Sequence, residues 1–302
     1  MKKDGSRLWF LFLTLAGVFA LVLLAACGDD DDDGGHPATT TATAAATATA
    51  GGDTIDISGV PELDDGKLTV GSDIAYPPIE YFEEGTQNAT GMDVDLLKAM
   101  AAKLGVDVEF QQVADFAGIV GDVKASRYDM VMSAISITPE RQAEIDFIAY
   151  FGPAGTGILV AEGNPEGIDA VEDLCGKSVG AQVGTFQVEQ MEGFNTDICA
   201  ANPIDIKTFP DNPTAVQELA LGRIVAELAD DPVTAYTAAT SDEGLVEVAV
   251  QGFDAAPYGM GFRKESTELQ DVITQALAAI RADGTYDSVL DEWGQSDLAY
   301  QE

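Results

Sequence analysis

The sequence predicts an α/β fold of two doubly wound lobes that are joined by a two-strand hinge. Residues 67–133 show strand and helix patterns in the order βαβαβ, and residues 177–231 repeat that order. Two segments that contain glycine and proline, residues 150–157 and 251–259, lie where the chain would pass between the repeats. The βαβ order implies parallel strands with right-handed crossovers. Two lobes that are joined twice would form a clamp with a ligand in the cleft.

The first lobe is predicted to begin with a strand at residues 67–73, in which polar and apolar side chains alternate. A helix follows, with Asp93 as its cap and apolar residues at helical spacing after it. The pattern then predicts a strand at residues 106–112, a helix at 116–126 and a strand at 128–133.

The second lobe is predicted to repeat this pattern. Its elements are a strand at 177–182, a turn at 184–186 into a helix, a strand at 204–208, a helix at 213–222, a strand at 224–228 and a helix that opens at Asp230. After residue 259 the chain would return to the first lobe with an amphipathic helix that Gly284 stops. We therefore expect lobe I to comprise residues 55–152 and 257–302, and lobe II residues 153–256.

The N-terminus has the order of a secretory signal at residues 1–26, with a basic start and then a long apolar run. The run ends in Leu-Ala-Ala-Cys27, which resembles the bacterial lipobox and implies cleavage before Cys27 and lipidation of it. An uncleaved transmembrane anchor is the alternative, because the run is almost long enough to span a bilayer. Residues 27–54 carry five consecutive aspartates and an Ala/Thr repeat, which predicts a disordered linker.

Composition excludes several classes of function. The net charge of −37 over 302 residues disfavours binding to nucleic acid and indicates an acidic, solvated surface. The one histidine, His36, lies in the predicted linker, so the folded part cannot hold a Ser-His-Asp triad, a Cys-His dyad or a histidine-ligated metal. We expect no cofactor and no metal. Paired carboxylates could still act as acid and base, so an enzyme remains an alternative.

Cys175 and Cys199 remain once Cys27 is set aside. An even pair of cysteines in an exported chain favours a disulfide. Two buried thiols are the alternative.

Residues 128–147 combine the features of a binding site. An apolar run is followed by Ser133 and Ser136, and then by Thr138-Pro139, a pair typical of a helix start. Arg141 lies in the first turn of that helix. A guanidinium beside helix-start N–H groups at the end of a strand suits a carboxylate. From its position alone, Arg141 could equally be a surface residue that pairs with Glu144.

Six short motifs occur in the order found in one family of proteins. With them, residues 66–294 resemble the amino-acid substrate-binding proteins of ABC importers, bacterial solute-binding protein family 3, which have a type II periplasmic-binding-protein fold. The motifs are GSDIAYPP at 71–78, GMDVDL at 91–96, SITPER at 136–141 followed by Asp146-Phe147, VGT at 183–185, ADDP at 229–232 and DGTY at 283–286.

The resemblance implies roles for individual residues at a site between the lobes. Arg141 would bind the α-carboxylate of the ligand, and Asp230, rather than Asp231, its α-ammonium. The remaining contacts to the backbone of the ligand would come from Ser133, Ala134 and Ser136 on one lobe and the helix-start N–H groups of Thr185 and Phe186 on the other. Local capping is the alternative for the two serines.

Four further residues are implied for the side chain of the ligand. Tyr76 and Phe116 would sandwich it. Asp73 and Asp93 would receive a cationic group, or would only cap loops and hydrogen-bond a polar ligand.

The resemblance also implies a function. The expected protein is an extracytoplasmic, lipid-anchored monomer that captures a polar or basic L-amino acid and delivers it to the transmembrane subunits of an ABC permease. An enzyme on the same fold is an alternative, either a dehydratase of prephenate-like acids or a lytic transglycosylase, with Glu80 as the catalytic carboxylate. A sensor input domain is another.

Overall fold

An eight-stranded sheet runs through the protein in a computed structural model that describes residues 54–241 and 246–301. The predicted signal peptide, Cys27, His36 and all of the predicted linker except residue 54 lie outside the described residues. The described strands are β1 (Lys67–Ser72), β2 (Ala75–Tyr76), β3 (Glu80–Phe82), β4 (Ala89–Thr90), β5 (Asp107–Gln112), β6 (Met130–Val131), β7 (Asp146–Ala161), β8 (Ser178–Gln182), β9 (Asp205–Phe209), β10 (Ala226–Asp230) and β11 (Val246–Phe262). Strands β2, β3 and β4 form a separate antiparallel sheet, and the other eight form the large sheet.

The described helices pack around this sheet. They are α1 (Met92–Leu104), α2 (Ile119–Lys124), α3 (Pro139–Glu144), α4 (Phe186–Thr196), α5 (Asn212–Ala220), α6 (Asp231–Thr240), α7 (Thr267–Ala282) and α8 (Thr285–Glu292). The predicted apolar face of α7 is buried along its whole length, at Leu269, Val272, Ile273, Ala276, Leu277 and Ile280.

The strand order is β5-β1-β6-β11-β7-β10-β8-β9. At one end β1 is parallel to β5 and β6, and at the other β8 is parallel to β9 and β10. We call the first end, with α1 and α7, lobe I, and the second end, with α4 and α5, lobe II. The two-lobe α/β fold is confirmed, but the sheet is mixed, because β7 and β11 run antiparallel to each other and to their outer neighbours.

The two predicted crossings are the middle parts of these two long strands. Residues 150–157 lie within β7 and residues 251–259 lie within β11. The strands pair along most of their length, with register shifts between Val248 and Gly259. The sequence pattern did not predict these two segments as strands, because glycine and proline usually interrupt a strand.

The first turn of α1 differs from the prediction. The N-cap is Gly91, and Asp93 lies inside the helix rather than capping it. Gly91 has a φ of +127°, and a Cβ atom there would lie 2.2 Å from the carbonyl oxygen of Ile79. Only glycine fits this close approach, which brings the start of α1 against the β2–β3 turn.

Two other elements are shorter than predicted. The expected helix at 116–126 is a 3-10 turn at Phe116–Gly118 followed by α2, because the Asp115 side chain accepts the N–H of Gly118 at 2.7 Å and tightens the start. The expected strand at 128–133 is paired only at Met130–Val131. Beyond it, Ala134 has a φ of +43°, which turns the chain out of the sheet.

The predicted disulfide between Cys175 and Cys199 is confirmed, with an S–S distance of 2.00 Å. It joins the segment before β8 to the segment after α4 and closes the first part of lobe II. Within the described ranges, no helix is both long enough and apolar enough to cross a membrane.

Candidate functional site

A cavity lies between the lobes, where four strands of the sheet end. Asp73 follows β1, Ser133 follows β6, Thr185 follows β8 and Asp230 ends β10. The carboxyl ends of strands are where open α/β sheets bind ligands. The cavity holds about 310 Å³ of free space, counting the part open to solvent, and is lined by Asp73, Tyr76, Glu80, Phe116, Ser133, Ala134, Ser136, Arg141, Gln182, Thr185, Phe186, Gln187 and Asp230.

Ten of the eleven predicted site residues line this cavity, and Asp93 does not. Asp93 is 2% exposed and lies behind Ser133 and Ala134, which form one wall of the cavity. It accepts the N–H of Ala134 at 3.1 Å and the hydroxyl of Tyr150 at 2.6 Å. The expectation that Asp93 receives a ligand group is therefore not met by its position. It instead holds the backbone of a residue that does line the cavity.

Arg141 is 9% exposed and projects from the first turn of α3, where Thr138 accepts its backbone N–H at 3.3 Å. Its guanidinium donates to the carbonyl of Ser136 at 2.8 Å and to that of Gly184 at 3.0 Å. The guanidinium carbon lies 5.7 Å from the centre of the Phe116 ring. Burial lowers the pKa of Arg141, and nearby carboxylates, first that of Glu189, act in the opposite direction.

The alternative position for Arg141, paired with Glu144 on the surface, is wrong. Glu144 pairs with Lys124. Among the described residues, no carboxylate makes a salt bridge with Arg141. Its two partners are neutral carbonyls, so its positive charge faces the cavity without a matched anion.

Asp230 stands at the N-cap position of α6, but its side chain makes no cap bond. It accepts the hydroxyl of Tyr76 at 3.0 Å and the amide of Gln187 at 2.9 Å. Burial raises the pKa of Asp230 to about 6, although these hydrogen bonds act to lower it. The carboxylate is thus turned into the cavity rather than used by its own helix.

Asp73 is held by two glutamines. Gln112 donates to one of its oxygens at 2.9 Å, and Gln182 donates to the other at 2.6 Å. Burial raises the pKa of Asp73, and these two hydrogen bonds act to lower it. The backbone N–H of Asp73 donates to the hydroxyl of Ser133 at 3.0 Å, so the two strand ends are tied together.

The remaining predicted residues of the cavity are held in place by hydrogen bonds within the protein. Ser133 donates its hydroxyl to Glu80 at 2.7 Å, and Ser136 offers its carbonyl to Arg141. On lobe II, Thr185 donates its hydroxyl to the carbonyl of Gln182 at 2.8 Å. Thr185 and Phe186 begin α4, an eleven-residue helix, directly after the Gly184 carbonyl that Arg141 contacts. The positive end of the α4 dipole therefore lies close to Arg141.

Four hydrogen bonds at the cavity join the two lobes in the described part of the chain. Two link Tyr76 to Asp230, one runs from Gln182 to Asp73, and one runs from Arg141 to the carbonyl of Gly184. Backbone contact is also close, since a Cβ atom on Gly184 would lie 2.5 Å from the Cα atom of Ala117. The lobes are therefore closed on each other in this structure.

Sequence reasoning missed Gln182 and Gln187 as cavity residues and considered Glu80 only as a catalytic group. Gln182 is the last residue of β8, and Gln187 lies one residue after Phe186. Extending the VGT motif by one residue toward β8 and by two toward α4 would have found both. Within the described residues there is no cluster of three or more potential metal ligands.

Comparisons with known proteins identify the family and the fold of this chain. The family model of bacterial extracellular solute-binding proteins, family 3, matches residues 68–296. The L-cystine-binding protein TcyJ of Escherichia coli K12 is 28% identical over 233 residues, which cover 77% of this chain and 84% of that protein. The arginine-binding extracellular protein ArtP of Bacillus subtilis 168 is 30% identical over 236 residues, 75% of this chain and 86% of that protein.

A solved structure of an ancestral arginine-binding protein bound to glutamine has the same fold. It superposes with a TM-score of 0.70 at 35% identity and covers 76% of this chain and 98% of that one.

Proposed function

This chain belongs to family 3 of the bacterial extracellular solute-binding proteins, and from that membership we propose that it binds an L-amino acid between its lobes for an ABC transporter. The proposed ligand is polar or basic, and the proposed partners are the transmembrane subunits of the permease. Its named relatives are solute-binding proteins, so the chain is not an enzyme.

One observation supports the ligand class above all others. Arg141 on lobe I and Asp230 on lobe II line the same cavity and carry opposite charges. A zwitterion can place its α-carboxylate on Arg141, beside the start of α4, and its α-ammonium on Asp230. Hydrogen bonds between charged groups are the strong ones. Since the two partners belong to different lobes, the ligand favours the closed form over the open one.

The charge left over after this pairing favours a basic side chain. Once Arg141 and Asp230 have met the zwitterion, Asp73 remains as a cavity carboxylate whose hydrogen-bond donors among the described side chains are two neutral amides. A guanidinium or ammonium on the ligand side chain would neutralise it, whereas a carboxylate would be repelled. Relatives with arginine or histidine in their names are consistent with this preference.

The proposal extends to the N-terminal part of the chain. Residues 1–26 serve as a lipoprotein signal, Cys27 carries the lipid and residues 27–54 form a linker that holds a monomeric binding protein at the outer face of the membrane. The sequence pattern supports this assignment. A Cys27→Ser variant should be released into the medium or periplasm, and its peptide should lack the lipid mass.

A thermal-shift screen against the common L-amino acids tests the proposal. We expect the largest increase in melting temperature with arginine or lysine, a smaller one with glutamine and none with glutamate. Absence of a shift with every amino acid would contradict the proposed function.

A further inference from the structure

Two acidic side chains hold Ser133 and Ala134, which form one wall of the cavity: Glu80, which also lines the cavity, and Asp93, which lies behind it. Glu80 in β3 is 0% exposed, and Asp93 in α1 is 2% exposed. One oxygen of Glu80 accepts the hydroxyl of Ser133 at 2.7 Å. One oxygen of Asp93 accepts the N–H of Ala134 at 3.1 Å and the hydroxyl of Tyr150 at 2.6 Å. Each carboxyl therefore holds one residue of the wall.

The second oxygen of each carboxyl has no donor among the described residues. Glu80 Oε2 and Asp93 Oδ1 are both buried without a hydrogen-bond partner from any N–H or hydroxyl group. The two carboxyls lie side by side, because Asp93 donates its backbone N–H to the carbonyl of Ile79, the residue before Glu80, at 3.0 Å, and because the residues that they hold, Ser133 and Ala134, are adjacent. Two facing carboxylates, each with an unpaired oxygen, would be strongly repelled at such a site, whereas one proton between them satisfies both oxygens.

We propose that Glu80 and Asp93 share one proton, carried by Glu80, and that this proton holds the Ser133–Ala134 wall in the conformation that binds the ligand. Glu80 then accepts from Ser133 with one oxygen and donates to Asp93 with the other. Asp93 remains ionised and accepts three hydrogen bonds. Glu80 and Asp93 are positioning residues in this scheme, since they act through Ser133 and Ala134.

The surrounding groups favour retention of the proton. Asp73 and Asp230 face Glu80 from the ends of β1 and β10, and Tyr150 and Tyr286 lie on the side of Asp93. In the part of the chain that the structure describes, no cation is among the groups that act on either carboxyl. Burial raises the pKa of both carboxyls, and the charge of Asp93 raises the pKa of Glu80 further.

The Ser133–Ala134 wall contains a strained residue that the hydrogen bond to Asp93 can hold in place. Ala134 has a φ of +43°, a conformation that alanine adopts at a cost. The hydrogen bond from its N–H to Asp93 helps to fix this turn. If the proton is lost, two buried negative charges face each other behind the turn, and the wall should shift away from its binding position.

A matched pair of variants tests the proton directly. Glu80→Gln replaces the shared proton by an amide that donates to Asp93 and accepts from Ser133, without titrating. Glu227→Gln is the control, because Glu227 is also 0% exposed with an unpaired oxygen and a raised pKa, but bonds to Asn212 instead. Infrared difference spectra at neutral pH should show a protonated-carboxyl band that Glu80→Gln removes and that remains in Glu227→Gln, where only the separate band of Glu227 itself is lost.

The positioning role, which rests on the proposed function, is tested by amino-acid affinity as a function of pH. Above the pKa of the pair, the Kd of the wild type should rise by up to about tenfold per pH unit relative to that of Glu80→Gln. The α-amino group of the ligand titrates equally in all the experiments, so the ratio of the two Kd values removes its effect. Glu227→Gln should follow the wild type. At neutral pH, Glu80→Ala should bind at least about tenfold more weakly than Glu80→Gln, which keeps both hydrogen bonds.

The outcomes separate the two proposals. Absence of a carboxyl band that depends on Glu80 overturns the shared proton. A Kd ratio that stays constant with pH, with the band present, overturns the positioning role. Failure of every variant and of the wild type to bind any amino acid overturns the proposed function, and with it the positioning role, whereas the infrared band still decides whether the proton is shared.

Discussion

The hydroxyl of Tyr76 bonds twice to Asp230 across the cleft. It donates to the carboxylate at 3.0 Å and accepts the backbone N–H of the same residue at 3.0 Å. Tyr76 belongs to lobe I and Asp230 to lobe II, so both bonds exist only when the lobes are closed. The Tyr76 hydroxyl therefore links closure of the lobes to Asp230, the residue that we propose binds the α-ammonium.

Replacing Tyr76 by phenylalanine should open the protein in the absence of ligand. The variant loses two cross-lobe hydrogen bonds, and a net loss of about 1–2 kcal/mol would shift the closed population by roughly tenfold. Small-angle X-ray scattering should show a larger radius of gyration for Tyr76→Phe than for the wild type. Tyr300→Phe, at the end of the chain in lobe I, is the control and should leave the radius unchanged.

Loss of the Arg141 guanidinium should abolish binding. Arg141→Ala removes the cationic group that we assign to the α-carboxylate, and a buried carboxylate without its partner costs several kcal/mol, so affinity should fall by at least about a hundredfold. Arg141→Lys should recover only part of this loss, because lysine lacks the planar fork. Calorimetry provides the measurement, with Arg127→Ala as a control at an exposed arginine. Unchanged affinity in Arg141→Ala would place the carboxylate elsewhere.

Affinity should fall when the pH drops below the pKa of Asp230. That pKa is about 6 in the unliganded protein, and a bound α-ammonium would lower it, because a positive neighbour stabilises the carboxylate. The complex then binds fewer protons than the free protein, so acid opposes binding by up to about tenfold per pH unit below pH 6. Asp230→Asn should bind more weakly at neutral pH and should lack this acid dependence. An Asp230→Asn profile identical to that of the wild type would contradict the assignment.

A side chain at Gly184 should prevent full closure. A Cβ atom there would lie 2.5 Å from the Cα atom of Ala117 on the opposite lobe, and Gly184 also has a φ of +77°. We expect Gly184→Ala to weaken amino-acid binding by about tenfold or more, since the closed form is the one that binds. Gly193→Ala, within α4 and with no atom within 4 Å of its Cβ position, should bind like the wild type.

The sequence allowed residues of the cavity to be predicted where a residue type and its local pattern agree. Thr138-Pro139 indicates a helix start in any context, and the structure has the Thr138 cap there with Arg141 in the first turn. Asp230 was found through its motif, although its side chain does not serve its own helix.

The errors arose where distant parts of the chain meet. The displacement of Asp93 from the cap depends on the carbonyl of Ile79 approaching Gly91, which no local pattern records. The role of Gln182 depends on Asp73, which is 109 residues away in the chain. The length of β7 and β11 depends on their mutual pairing, which outweighs the weak strand propensity of their glycines and prolines.

In the proposed opening and closing of the lobes, the same two strands would bend without taking part in ligand contacts. None of the described residues that line the cavity belongs to β7 or β11, and the irregular steps of their pairing lie between Val248 and Gly259. A ladder with shifted register has fewer regular hydrogen bonds to lose on bending. Mutations that change the preferred ligand can therefore accumulate in the cavity while the bending element stays untouched. One scaffold can therefore acquire new ligand preferences, in evolution or in a designed biosensor, while its closing motion stays the same.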